Sequence, residues 1–251
     1  MKRYLLMSIL SIIAITGCEP DKLSDTDNQE VVWKVSRLVF EDYDYYGFKY
    51  DLQGRMNQIT WGMATGGDEE TMAWVYYEEK QVTKLLEDGV NVSYNLDAEG
   101  RVVSASPTFR GDGGKDDYEV FEYDVNGYIS KVTSPLMPDF EFEVVNGNYT
   151  RMSVGSEGLS IEYTDYPNNY SIDMNFYMLA SSTWTPFYCL WFSKFPGTAC
   201  QNLIKRISGS NNVVTYYYSF DAAGRVSSIT MNKSYGDGEN IIAGMTVQYE
   251  E

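Results

Sequence analysis

YSFDAAGRVSSI, residues 218–229, restates a phrase the chain has already used three times. It reads FKYDLQGRMNQI at 48–59, YNLDAEGRVV at 94–103 and FEYDVNGYISKV at 121–132, with a common core of aromatic-Asp-x-x-Gly-Arg-apolar. An aspartate that opens a turn bonds backbone N–H groups ahead of it. A glycine three residues on takes the left-handed conformation that closes a type I turn with a bulge. Each phrase therefore reads as a β-hairpin, with Asp51 and Gly54, Asp97 and Gly100, Asp124 and Gly127, and Asp221 and Gly224 as its turn residues. Degenerate echoes at 76–85, 142–152 and 163–172 extend the series, and self-similarity of this kind marks a repeated supersecondary unit.

Flanking residues alternate as strands should. Phe140, Phe142 and Val144 alternate with Glu141 and Glu143, and Leu159, Ile161 and Tyr163 with Ser160, Glu162 and Thr164. Twenty-two tyrosines against seven prolines suit many half-buried strands. The expected fold is all-β, an antiparallel meander of repeated hairpins forming a curved sheet or open barrel, since exposed strand edges must be closed or covered. Residues 173–201 break the rhythm and are expected to plug one end of the sheet irregularly or to form a short helix near 175–181.

The N-terminus carries a different message. Lys2 and Arg3 precede an apolar run at 4–15 that ends in Thr16-Gly17-Cys18, the layout of a cleavable signal peptide. The run is too short to span a bilayer, which takes about 20 apolar residues. Ile15-Thr16-Gly17-Cys18 resembles the lipobox of bacterial lipoproteins, which implies lipidation of Cys18, residues 1–17 as signal peptide and 18–30 as an acidic tether. One all-β domain is expected over 31–251, with the lipid as its membrane contact and the cell envelope, at the outer membrane, as its location.

Charge and composition exclude several chemistries. The net charge of −17 becomes two units more negative when Lys2 and Arg3 are removed, which argues against nucleic acid as a partner. There is no histidine, so neither Ser-His-Asp nor Cys-His machinery nor a helical His-Glu-x-x-His zinc site is available. Cys189 and Cys200 are expected to pair in an oxidising compartment, with two free thiols as the alternative, and they are too few to hold structural zinc. Loops at 66–70 and 111–117 lack the ordered spacing of a calcium loop, and neither metal nor cofactor is expected.

Paired carboxylates without histidine are the tools of glycosidases, so a carboxylate-based glycan hydrolase is the alternative reading. The repeat aspartates are more simply turn formers, and no enzyme activity is expected. Arg55, Arg101 and Arg225 are expected to pair with nearby acids or to lie across tyrosine rings. The positive hypothesis is a binding or structural role, with Trp33, Trp61, Trp74, Trp184 and Trp191 as candidate platforms for a glycan, since sugar rings need stacking together with hydrogen bonds. An envelope protein is the other candidate partner.

The repeated phrase resembles the YD repeats of RHS and teneurin shells, with Leu96 replacing the aromatic and Tyr128 the arginine in two copies. A lipobox followed by such hairpins over most of 31–251 also resembles uncharacterised lipoproteins of Bacteroides-type bacteria. That resemblance implies a barrel-like fold and supplies no catalytic residues.

Overall fold

All four phrases are hairpins of the expected kind. Gly54, Gly100, Gly127 and Gly224 have φ between 77° and 83°, and in each hairpin the register shifts by a bulge just before the aspartate. In all four, the aspartate N–H donates to the carbonyl four residues on and the glycine N–H returns to the aspartate carbonyl. The computed structural model describes residues 32–40, 44–63, 65–86, 89, 91–106, 118–135, 137–175, 178, 197–236 and 240–250. Cys18, the signal segment and the tether lie outside them, as do Trp184, Cys189 and Trp191.

Sixteen strands follow in chain order: β1 (Val35–Phe40), β2 (Asp44–Tyr50), β3 (Met56–Met63), β4 (Glu70–Tyr77), β5 (Gln81–Leu86), β6 (Asn91–Leu96), β7 (Val102–Ser106) and β8 (Glu119–Tyr123) make the first half. β9 (Ile129–Ser134), β10 (Met137–Val145), β11 (Asn148–Val154), β12 (Glu157–Pro167), β13 (Asn202–Ser208), β14 (Asn212–Phe220), β15 (Val226–Tyr235) and β16 (Asn240–Tyr249) complete it. Every strand pairs antiparallel with its sequence neighbours, and β1 pairs with β16 to close a barrel. Closure settles the choice between open sheet and barrel, and it leaves no free edge. The echo at 163–172 is no hairpin: β12 runs through its first half, and the chain then turns inward.

The inward face is apolar. Leu38, Phe48, Ile59, Val82, Val102, Ile129, Met152, Leu203 and Ile229, from nine different strands, are all buried in one cluster. Tyr170, Ile172, Met174 and Met178 add to it from the segment that follows β12, while most of 173–201, expected to plug the sheet or to form a short helix, lies outside the described residues. Hydrogen bonds tie this segment to the barrel wall. Asn175 Oδ1 accepts from the Ile204 N–H at 2.8 Å, Tyr216 OH donates to the Met178 carbonyl at 3.0 Å, and Tyr170 OH accepts from the Val226 N–H at 3.3 Å.

One rim carries the Asp-x-x-Gly turns, and there neighbouring hairpins are latched in a repeated way. Asp221 Oδ1 accepts the Ala223 and Arg225 N–H groups, and Oδ2 accepts Arg225 Nε at 2.7 Å. The guanidinium lies 4.5 Å from the ring centre of Tyr249, whose OH donates to the Val226 carbonyl at 2.7 Å. Asp51, Arg55, Tyr77 and the Met56 carbonyl repeat the arrangement, as do Asp97, Arg101, Tyr123 and the Val102 carbonyl. In the copy with Tyr128 in place of arginine, that ring meets Tyr149 edge-on, and Tyr149 OH accepts from the Ile129 N–H. At the seam, Lys34 stands over Tyr50, and Tyr50 OH donates to the Val35 carbonyl.

Candidate functional site

The repeat aspartates are consumed by their turns. For Asp51 and Asp97 partial desolvation opposes the charge, but bonds from the arginine backbone and guanidinium outweigh it and hold the carboxyl below its usual range. Asp221 is lowered first by the Arg225 N–H. Asp124 accepts from the Asn126 and Tyr128 N–H groups. Each carboxylate sits on its own turn, engaged by its own hairpin, and the structure brings none of the four together as a facing pair. Arg55, Arg101 and Arg225 do both things expected of them, pairing with the aspartate and covering a tyrosine ring.

Cys200 is a free, buried thiol, and Cys189, its expected partner, lies outside the described residues. Its sulfur is already occupied by contacts from the Tyr149 N–H at 3.5 Å and Tyr163 OH at 3.3 Å. Burial, with the nearby Asp173, pushes the thiol up to about 12, which makes it a poor nucleophile.

The described tryptophans are not gathered into one platform. Trp33 belongs to the seam: its backbone pairs with Asn169 and Ser171 of the segment after β12, and Arg225 lies 5.5 Å from its ring. Trp61 shares a face with its register partner Tyr46 and donates from Nε1 to Asp44 at 3.2 Å. Trp74 is different. On β4, Ala73 and Val75 point into the core, while Met72, Trp74 and Tyr76 are 37%, 37% and 52% exposed on the outward face.

The surroundings of Trp74 and Tyr76 are unusual for this barrel. Outward positions elsewhere carry Arg37, Lys49, Glu122, Lys131, Glu141, Glu143, Arg151, Glu162 and Arg206, some of them paired, as in Lys131 with Asp139 at 2.7 Å. Across β5 to β7 the outward register positions are Gln81, Thr83, Leu85, Asn91, Ser93, Asn95, Ser104 and Ser106, and none is ionisable. These amides and hydroxyls are linked across strands. Gln81 Nε2 donates to Asn95 Oδ1 at 3.1 Å, and Asn95 Nδ2 donates to Ser104 Oγ at 2.9 Å. On the other side of Trp74, Gln58 Nε2 donates to Thr71 Oγ1 at 2.7 Å.

Tyr76 and this polar ladder escaped the sequence reading, which assigned Tyr76 to a hairpin echo. The available signal was the segment TMAWVYY at 71–77, in which both alternating faces are apolar although a barrel strand needs only one. A recess of about 480 Å³ on the turn-bearing rim, lined by Glu99, Arg101, Val125, Asn126 and Thr198, offers no flat ring, and its arginine is committed to Asp97.

The alternation also runs opposite to that of a membrane-spanning barrel, which shows lipid an apolar band about 25 Å tall and keeps a polar lumen. Here charge is outside and the apolar core inside. No described helix is long and apolar enough to cross a membrane, which leaves strand crossing to be judged by this pattern.

Fold and surface together define a closed, sixteen-strand antiparallel barrel with a buried apolar core and an outward aromatic strip. A porin-like protein from Bacteroides uniformis shares the fold over 86% of this chain and 98% of its own, at 16% identity and a TM-score of 0.68. A porin-like protein from Bacteroides vulgatus does so over 87% and 99%, at 12% identity and a TM-score of 0.56. No family model and no curated protein matches the chain.

Proposed function

We propose that this protein is a non-enzymatic, lipid-anchored binding protein of the bacterial cell envelope that holds a glycan on the outer face of β3 to β7. The observation that carries the reading is the exposed pair Trp74 and Tyr76 on one face of β4, flanked by uncharged amides and hydroxyls. Aromatic rings supply flat apolar area, and hydroxyls and amides supply the donors and acceptors that sugars require. The lipobox at 15–18 and the outward charges support a barrel that stands in water and is tied to the outer membrane through Cys18. A fold shared with Bacteroides porin-like proteins fits the same compartment. The YD-like phrase serves here as the latch of a closed barrel.

The test is affinity electrophoresis of the purified chain through gels containing a panel of polysaccharides. Retardation by at least one, abolished in Trp74→Ala and Tyr76→Ala but kept in Tyr217→Ala on β14, is expected. Absence of retardation by every polysaccharide removes the reading.

A further inference from the structure

We infer that the ligand of this face is an uncharged, extended polysaccharide, and that acidic polysaccharides are excluded. The inference rests on the glycan reading above and narrows it.

Three features carry it. First, nothing on the face is built to meet an anion. Sulfate and carboxylate are held by arginine or lysine forks, whereas the outward positions around Trp74 are amides, hydroxyls and Leu85. Of the bases around it, Arg37 and Lys49 are both taken by Glu69 at 3.4 and 3.7 Å, and Lys80, exposed in the β4–β5 turn, follows Glu78 and Glu79 in the chain. A chain with a net charge of −17 adds a repulsive field against any polyanion.

Second, the amides retain bonding capacity. Asn95 spends one N–H on Ser104 and accepts one bond from Gln81. Each amide has two donors and an acceptor oxygen with two lone pairs, so donors and acceptors remain side by side, as a sugar hydroxyl requires.

Third, the platform is straight. Trp74 and Tyr76 are two residues apart on one strand, roughly 7 Å along its axis, and the ladder from Gln81 to Ser104 crosses the neighbouring strands. A ribbon-like chain laid along β4 reaches both rings and places its edge over the amides. A coiled chain meets only one of them.

Other occupants fit less well. A peptide strand has no free edge to join, because the barrel is closed. An anionic lipid surface calls for lysine and arginine around the apolar strip, and here amides stand there instead.

The experiment is native affinity electrophoresis of the full chain in hydroxyethyl cellulose, polygalacturonate or soluble starch, beside co-sedimentation with phosphatidylglycerol vesicles. Hydroxyethyl cellulose should retard the parent, with affinity falling roughly tenfold or more in Trp74→Ala and severalfold in Asn95→Asp. Polygalacturonate and starch should leave mobility unchanged. Trp74-dependent retardation by polygalacturonate or starch in place of the neutral extended glucan would overturn this inference while leaving the glycan platform standing. Failure of all three would overturn this inference, and failure across the whole polysaccharide panel, or Trp74-dependent binding to vesicles alone, would overturn both.

Discussion

Arg225 and Tyr249 offer the cleanest measurement of what the rim latch contributes. Tyr249→Phe deletes a single hydroxyl that donates to the Val226 carbonyl at 2.7 Å, with a net expected loss of about 0.5–1.5 kcal/mol. Arg225→Met removes the guanidinium 4.5 Å from the Tyr249 ring, worth about 0.5–1 kcal/mol at a partly exposed site. It also removes an exposed ion pair with Asp221, which solvent screens to a small contribution. The ring itself survives in Tyr249→Phe, so the two single variants should be nearly additive. Tyr249→Leu removes the ring and should couple to Arg225→Met by about 0.5–1 kcal/mol. Urea unfolding followed by circular dichroism gives these values, with an unchanged m expected because no strand is lost. For a domain of this size each kcal/mol also lowers Tm by about 2–4 °C. Tyr249→Phe melting like the parent, or Tyr249→Leu and Arg225→Met adding without coupling, would refute the latch as a source of stability.

A Cβ at Gly100 or Gly224 meets nothing within 4 Å, but Gly100→Val and Gly224→Val must hold φ of 79° with a β-branched side chain. Each should cost about 1–2 kcal/mol, and parent-like melting would contradict the left-handed turn. Burial raises the Tyr50, Tyr77, Tyr123, Tyr163, Tyr218 and Tyr249 hydroxyls above their ordinary value. Their contribution to stability is therefore fully present below the unfolded phenol value of about 10 and is lost as pH rises through the folded values. Phenolate absorbance should accordingly develop in two stages, exposed tyrosines first and these six only with alkaline unfolding; a single early stage for all would count against their burial. In a Cys18→Ser, Cys189→Ser background, Cys200 should resist a thiol reagent until denaturant is added, and prompt native reaction would contradict its burial.

Much of the fold was legible because its commonest local device is written in a few residues. Asp221 and Gly224 set a turn whose bonds stay within five residues, and such geometry does not depend on what packs above it. The latch was half legible: a guanidinium near a tyrosine was expected, but the partner stands about a hairpin away, and only barrel register decides that Arg225 meets Tyr249. Closure was not legible, since the pairing of Val39 with Thr246 joins the two ends of the domain and leaves no local trace. The candidate platform shows the same division. Trp74 was visible as a residue type, whereas its distinction from Trp33 and Trp61 depends on which face of its strand the core claimed.

The proposed arrangement is a barrel that faces water and is held at the membrane by a lipid on Cys18. Replacing Cys18 with serine tests it most directly, by fractionating cells that express the variant and comparing its circular dichroism and melting with those of the parent. The variant should leave the membrane fraction and appear in the soluble fraction with the same β spectrum and Tm. A Cys18→Ser chain that stays in the membrane pellet through an alkaline carbonate wash would show that the strands themselves are embedded in lipid, against the outward charges of Glu141, Glu143 and Arg151.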